Sequence, residues 1–257
     1  MSYETIVLDK KPIATLTLNR PERRNALSGQ LMRELYRGFQ ECADDDSIRV
    51  LIVRGAGGNF CAGADLNEVM DKTIMEYRKH FTVLPEVFRT IARMGKPVIA
   101  AVEGYALAGG CGLAATCDLT IASEDATFGV TEIRVGLFPM VISAPIFRLI
   151  GRKRGFELFF TGEMVSAKEA AEIGLINRAV PKDRFEDEVM ALANKLAALS
   201  PTVLRLGKDA LYTQADMEYF KAMDYLKEMV AVVSTTEDSK EGIDAFLHKR
   251  KPQWTGR

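Results

Sequence analysis

The stretch of sequence that decides the fold class covers residues 97–123 and reads PVIAAVEGYALAGGCGLAATCDLTIAS. Residues 97–102 are a continuous apolar run with β-branched members, which predicts a buried strand. Residues 104–112 are rich in glycine, residues 113–116 favour a helix, and residues 119–123 predict a second buried strand. This succession of strand, helix and strand is typical of an α/β core.

The same alternation extends toward the N-terminus. Residues 4–18 hold two strand-like runs around a turn at residues 9–12, and residues 50–54 predict a short β-branched strand that ends in glycines. Ser28 is a good N-cap, and apolar residues then recur at helical spacing to about residue 43. Strand-strand-helix units therefore recur loosely through the first half of the chain.

The remainder of the chain is predicted to be mainly helical. Ser166-Ala167-Lys168-Glu169 is a capping box. Four longer helical patterns follow it, at residues 184–199, 201–214, 216–234 and 237–247. We therefore expect a mixed core over residues 1–198 and a helical C-terminal region over residues 199–257.

Composition excludes several classes of protein. The chain has 257 residues and a formal net charge of −1, so no basic field attracts nucleic acid or an anionic membrane. Four cysteines form no C-x-x-C pair and two histidines lie far apart, which argues against a disulfide scaffold and a metal site. The N-terminus lacks a signal-peptide pattern, and Glu103 and Asp118 interrupt the most apolar stretch. We expect a cytoplasmic protein.

The first segment that could carry chemistry covers residues 59–66, NFCAGADL, after a strand and a glycine turn. Small residues at positions 62–64 let a ligand approach the backbone, and free N–H groups there could bind a developing negative charge. Asp65 could cap a helix. The alternative is a tight strand-to-helix turn that binds nothing.

The second segment covers residues 104–113, where glycines precede a predicted helix and leave amides that bind anions well. Close helix packing is the structural alternative. A rival functional interpretation is a dinucleotide site, because residues 110–115 fit G-x-G-x-x-A and Glu132 lies twenty residues after Gly112. That motif should open directly from a strand, but here six residues, 103–108, intervene between the strand that ends at Val102 and Gly109.

The third segment contains Glu132 in an apolar neighbourhood between residues 127–131 and 136–139. A carboxyl group desolvated there would have a raised pKa and could move protons. The alternative is an exposed glutamate, or one in an ion pair with Arg134 or Arg152. The residues alone favour this alternative.

Together, the three segments resemble the crotonase superfamily, the family of enoyl-CoA hydratases and isomerases. The resemblance covers essentially the whole chain and rests on short motifs in order and at proper spacing. They are LNRP at 18–21, NAL at 25–27, FCAGADL at 60–66, GGCG at 109–112, CDL at 117–119, FG at 128–129, Glu132, TGE at 161–163, AEIGLI at 171–176 and FLHKRKP at 246–252.

The resemblance implies an α/β crotonase-like spiral of strand-strand-helix units. Its C-terminal helices, within residues 199–257, would build a homotrimer or a dimer of trimers. The implied substrate is an acyl-CoA, and coenzyme A is then part of the substrate rather than a separate cofactor. No metal, nucleic acid or membrane partner is implied.

By position, the resemblance assigns the thioester oxygen to the backbone amides of Ala62 and Gly109, and proton transfer to Glu132. Two fixed donors suit this chemistry because proton removal next to a thioester forms an enolate. Arg24 would meet the CoA phosphates, and Lys249 would reach CoA from a neighbouring subunit. The implied CoA contacts are Arg24, Ala26, Ala62, Gly63, Ala64, Asp65, Leu66, Gly109 and Lys249.

The sequence departs from the family pattern at Gly112, where typical hydratases carry a second glutamate. Hydration is naturally divided between two carboxylates that share a water. A single glutamate suits a double-bond shift, in which Glu132 removes a proton from one carbon and returns it two carbons away. Isomerisation and hydration by one glutamate therefore both stay open, with chemistry favouring isomerisation.

An apolar acyl pocket is expected at Gly112, Phe138, Pro139 and Met140. Dienoyl isomerases and acyl-CoA hydrolases of this family place an aspartate at the position of Met140, so these branches, like the decarboxylases, fit less well. A non-catalytic CoA-binding or scaffold protein of the same fold is the alternative from a different class. Retention of Glu132 argues against it.

Overall fold

The computed structural model describes residues 3–70 and 72–257. The strands in this part of the chain are β1 (Ile6–Asp9), β2 (Ile13–Leu18), β3 (Val50–Gly55), β4 (Val98–Val102), β5 (Tyr105–Leu107), β6 (Leu119–Ser123), β7 (Thr127–Gly129), β8 (Met164–Ser166) and β9 (Arg178–Val180). The helices are α1 (Gly29–Asp44), α2 (Ile74–Arg93), α3 (Gly109–Thr116), α4 (Met140–Thr161), α5 (Ala167–Glu172), α6 (Phe185–Ala197), α7 (Pro201–Gln214), α8 (Tyr219–Thr235) and α9 (Glu237–Leu247).

The main sheet has six strands in the order β1-β2-β3-β4-β6-β9, parallel except for β1. Both of its faces are covered, which explains why its central strands are continuously apolar. Val50 and Ile52 point to one face and pack with Phe185 of α6, whereas Leu51 and Val53 point to the core on the other face.

A second, smaller layer makes the fold a spiral. β5 pairs in parallel with β7, which pairs in antiparallel with β8. Isolated parallel bridges join Leu27 to Ala64 and Cys61 to Ala106, and they continue this layer through the earlier turns. Each turn of the chain therefore runs from a strand of the main sheet to a short extended segment of the second layer and then to a helix. The predicted α/β spiral of strand-strand-helix units is confirmed.

Two elements differ from the sequence prediction. The glycine-rich stretch contains β5, and α3 begins at Gly109 rather than near residue 113. Glycine weakens an isolated helix, but here packing decides: a Cβ on Gly110 would lie 2.3 Å from the carbonyl oxygen of Cys61. The apolar stretch from Met140 opens a long helix, α4, which is kinked at Gly151.

The four C-terminal helical patterns are present within two or three residues of their predicted bounds. The boundary predicted at residue 198 falls between α6 and α7, and independence of the two parts stays a prediction. Among the helices of the described chain, none combines the length and apolar character that crossing a membrane requires.

A buried ion pair joins α7 to the core. The Lys208 ammonium lies 2.7 Å from a carboxylate oxygen of Asp118 and donates to the carbonyl of Lys96 at 2.9 Å. Asp118 also accepts hydrogen bonds from the backbone of Val98 and from the hydroxyl of Tyr212. The Lys208 side chain is only 8% exposed, so solvent would replace its contacts poorly.

We expect Lys208→Met to destabilise the protein by about 3 kcal/mol, because it leaves a carboxylate buried without its counter-ion. Unfolding by heat and by urea would measure the loss. Lys195→Met, which removes an exposed lysine from α6, is the matched control. Equal stability of the two variants would contradict this role of the ion pair.

Candidate active site

Residues from all three segments that the sequence singles out line one cavity of about 320 Å³. It lies between α1, α2, the first residue of α3 and the chain from Glu132 into α4. Larger cavities elsewhere, of about 520 and 800 Å³, hold none of the predicted site residues. The lining residues are Leu27, Met32, Ala64, Val69, His80, Phe81, Leu84, Gly109, Glu132, Leu137, Phe138, Pro139, Met140, Val141 and Ile142.

Glu132 begins a short 3-10 turn, Glu132–Val135, and supplies a carboxyl group to this apolar cavity. Its Oε2 atom is buried and has no hydrogen-bond partner in the described part of the chain. Burial raises the pKa of Glu132 from 4.5 to about 7, although its own backbone N–H partly opposes this. A carboxyl group in this state can both accept and return a proton near neutral pH.

The turn at residues 60–66 uses most of its backbone groups for structure. The N–H of Ala62 donates to the carbonyl of Arg24 at 3.0 Å, and the bridge to Leu27 uses the Gly63 carbonyl and the Asp65 N–H. The Ala62 amide is therefore not free, contrary to the prediction that it would bind the thioester oxygen. The Ala64 N–H makes no hydrogen bond to any described residue, and Ala64 lines the cavity.

Gly109 supplies the other backbone donor. It is the first residue of α3, and the intrahelical bonds begin only with Gly112, whose N–H donates to Ala108. Ala108 takes the left-handed φ of 51° while its N–H donates to the Gly129 carbonyl at 2.8 Å. A Cβ on Gly63 would lie 2.6 Å from the Cβ of Ala108, so this close approach requires glycine.

A network of polar groups holds the Ala64 turn in place. Asp65 is 8% exposed, caps the 3-10 turn that follows it, and pairs with the Arg20 guanidinium at 3.0 Å. Burial opposes ionisation of Asp65, but the donors from Arg20 and Asn67 outweigh it and hold its pKa below the ordinary value. Arg20 also donates to the carbonyl of Ala26 at 2.6 Å. Asp65 and Ala26, predicted as CoA contacts, thus support the turn.

Asn25 links the same network to the neighbouring loop. It is fully buried with a left-handed φ of 56°, its side-chain oxygen accepts from the Arg20 N–H, and its amide donates to the carbonyls of Ala56 and Asn59. Asn25, the first residue of the motif at residues 25–27, therefore fixes the backbone at Arg20, Ala56 and Asn59.

The remaining predicted CoA contacts lie outside the cavity. Arg24 is exposed, and its guanidinium carbon lies 5.6 Å from the ring centroid of Tyr105. Leu66 is 47% exposed next to the Ala64 turn. Lys249 is exposed just after α9 and does not line the cavity of its own chain.

Of the four residues predicted to form the acyl pocket, three line the cavity. Phe138, Pro139 and Met140 line the cavity, but Gly112 does not. A Cβ on Gly112 would lie 2.1 Å from Cγ2 of Ile142 and 3.3 Å from the ring of Phe88. Ile142 and Phe88 thus fill the space into which a second glutamate would project.

The sequence analysis missed the wall that α2 contributes. His80, Phe81 and Leu84 line the cavity together, because Leu84 follows Phe81 by three positions and His80 by four, and residues at these spacings are neighbours on a helix surface. That spacing is visible in the sequence once the helix is known to face the site. The sequence carries no signal that distinguishes the Ala64 amide from the Ala62 amide as a free donor, because only the hydrogen bonds of the folded turn show which of the two is used.

Comparison with known proteins finds relatives that match along essentially the whole chain. The model of the enoyl-CoA hydratase/isomerase family matches residues 9–257. The chain is 37% identical to a probable enoyl-CoA hydratase of Mycobacterium bovis, over all of both chains, and 35% identical to the 2,3-dehydroadipyl-CoA hydratase of Escherichia coli, over 99% of each. A crystal structure of an enoyl-CoA hydratase of Mycobacterium smegmatis superposes with a TM-score of 0.95 at 37% identity, covering 98% of this chain and 99% of that one.

We expect Glu132→Gln to stabilise the fold at pH 8 by up to about 3 kcal/mol, and much less at pH 4. In the unfolded chain this carboxyl ionises near its ordinary pKa of 4.5, whereas the folded chain keeps the proton until about 7. Stability therefore falls as the pH rises through this window, and the neutral amide avoids the loss.

Unfolding curves at both pH values would measure the difference, with Glu163→Gln at an exposed position as the control. The same gain at pH 4 and pH 8 would mean that ionisation of Glu132 is not its cause.

Proposed function

Because this chain belongs to the enoyl-CoA hydratase/isomerase family, we propose that it moves a proton on an enoyl-CoA thioester through the single carboxyl group of Glu132. The observation that carries the proposal is the buried, unpaired Oε2 of Glu132 in an apolar cavity that two free backbone donors also border. A scaffold protein would gain nothing from this arrangement, because burying an unpaired carboxyl group costs stability.

In this proposal, the N–H groups of Ala64 and Gly109 hold the thioester oxygen. Removal of a proton from the carbon next to the thioester places negative charge on that oxygen, where two fixed donors stabilise it. One such donor typically contributes roughly 10²–10³ in rate. Ala64 replaces Ala62 in this role because the Ala62 N–H already donates to Arg24.

The reaction best supported is the shift of a double bond from the 3-position to the conjugated 2-position. Glu132 takes a proton from C2 of a 3-enoyl-CoA, the charge spreads over the dienolate, and the proton returns to C4. Reactant and product have the same composition, so one carboxyl group suffices. Ile142 and Phe88 occupy the space of the second carboxylate, which supports a reaction that needs only one.

Hydration of a 2-enoyl-CoA by Glu132 alone is the second candidate. The names of the relatives favour it, since those compared here are hydratases or probable hydratases. In this case Glu132 would take a proton from a water as the water adds to C3, and would then give that proton to C2. One carboxyl group would thus perform both steps.

We also propose that CoA binds along the Ala64 turn and that the chain acts as a homotrimer or a dimer of trimers. Large apolar side chains exposed on α8 and α9 of the single chain, Tyr219, Phe220, Phe246 and Leu247, support an assembly that covers them. Arg250 pairs with Glu241 and Asp244, which fixes the turn that presents Lys249. Lys249 would then reach CoA in a neighbouring subunit.

We expect the purified protein to convert a 3-enoyl-CoA to the conjugated 2-enoyl-CoA without a change in mass. Ultraviolet absorbance of the conjugated thioester and mass spectrometry would follow the reaction. Glu132→Gln should lower the rate by about 10²–10⁴ because the proton acceptor is gone. The kcat/KM value should rise with pH and level off above about 7, since the carboxylate is the active form.

A 2-enoyl-CoA tested in parallel distinguishes the candidates. Loss of conjugation with the gain of one water would make hydration the reaction. Turnover that Glu132→Gln leaves unchanged would exclude Glu132 from both. Binding of acyl-CoA with no turnover of either substrate would identify a non-catalytic protein.

We expect Gly112→Glu to destabilise or prevent folding, because the new side chain collides with Ile142 inside the core. The double variant Gly112→Glu with Ile142→Gly should recover a folded protein and hydrate 2-enoyl-CoA faster than the wild type. Thermal unfolding and the hydration assay would measure the two effects. A stable, fully active single variant would contradict the assignment of Ile142 to this space.

A further inference from the structure

A second titratable side chain, His80, lines the same cavity as Glu132. Of the lining residues in the described chain, only these two carry such a group, and the others are apolar or glycine. A histidine in this setting needs an explanation, because a polar group that faces an apolar cavity loses hydration unless a partner replaces it. None of the hydrogen bonds among the described residues involves the imidazole of His80.

The surroundings keep His80 neutral and oriented. Burial lowers its pKa below the ordinary value, Lys72 and Arg33 act in the same direction, and Glu68 opposes them. The imidazole packs edge-on against Phe81 at 5.1 Å between centroids. A neutral imidazole offers one N–H donor and one acceptor nitrogen, so it can pair with a hydroxyl or a carbonyl group.

Helix geometry separates His80 from the reacting carbons. Leu84 lies 3.8 Å from the Cβ position of Gly109, and Phe88 lies 3.3 Å from that of Gly112, so α2 runs alongside α3. His80 lies one helical turn before Leu84, about 6 Å along the axis and away from Gly112. It therefore cannot take the place of a carboxylate at Gly112. It borders the same cavity, which the proposed function assigns to the acyl group.

We propose that His80 is a specificity-determining residue that hydrogen-bonds an oxygen substituent, a hydroxyl or a carbonyl, on the acyl chain beyond the carbons that react. The cavity would then select oxygenated acyl groups over plain hydrocarbon chains of the same length. This inference rests on the proposed function, since its ligand is the acyl group of a CoA thioester.

The structure of α2 makes the proposal testable without loss of the fold. Within this helix the buried side chains are Val87, Phe88 and Ile91, all beyond His80. Pro85 has no N–H for the carbonyl of Phe81, so the segment around His80 is also held by fewer backbone bonds. Substitution of His80 therefore changes the cavity wall and leaves the core packing intact.

The experiment is calorimetric titration with saturated acyl-CoA thioesters, which bind but do not react. The ligands are hexanoyl-CoA and its 4-, 5- and 6-hydroxy derivatives, so that the hydroxyl samples each position along the chain. We expect at least one hydroxy ligand to bind the wild type as tightly as hexanoyl-CoA or more tightly. His80→Phe should weaken that ligand about tenfold and change hexanoyl-CoA less than about threefold. His80→Gln, which keeps a donor and an acceptor, should restore part of the affinity.

Two results would overturn the proposal: tighter binding of hexanoyl-CoA than of all three hydroxy ligands, or equal weakening of all four ligands by His80→Phe. The second result would indicate a packing role. Turnover of enoyl-CoA tests the proposed function separately. Turnover that depends on Glu132, together with binding that ignores the hydroxyl group, would overturn only the role of His80.

Discussion

The site depends on the close approach of two backbone turns, one at Gly63 and one at Ala108. Gly63 leaves room for the Cβ of Ala108, and the Gly129 carbonyl accepts the N–H of Ala108, which has a positive φ of 51°. Strained backbone of this kind persists only where the surrounding structure fixes it. Because the two turns approach closely, the free amides of Ala64 and Gly109 border the same cavity, although they come from different turns of the spiral. Without this approach, neither amide would face a common ligand.

The position of Glu132 shows the cost of a reactive carboxyl group. The hydrocarbon that surrounds it raises its pKa to about 7 and also removes the hydrogen-bond partners that would stabilise it as a carboxylate. The rest of the fold must carry this local destabilisation. Buried networks at Asn25 and Asp65 support the backbone around the site, and the network at Lys208 holds α7 against the core elsewhere.

At Gly112 hydrocarbon fills the space into which a side chain would project. Ile142 and Phe88 pack against the glycine, so a second carboxylate would meet side chains rather than a vacant pocket. The apolar wall then leaves Glu132 and His80 as the polar side chains of the cavity lining in the described chain. Glu132 lies on the 3-10 turn before α4 and His80 lies on α2, so the two polar side chains reach the cavity from different elements.

The sequence by itself determined the alternation of strands and helices, the family and the apolar stretch at residues 138–140, because periodicity and motif spacing are local properties. It singled out Glu132 only through the family resemblance, since the residues alone favoured an exposed glutamate or one in an ion pair. Only the tertiary structure decided which amides are free, since the Ala62 N–H donates to the carbonyl of Arg24, which lies 38 residues earlier in the chain. It also decided that Gly112 lies behind Ile142 and that His80 reaches the cavity. These outcomes depend on packing between distant segments, and no local pattern encodes the distance between two such segments.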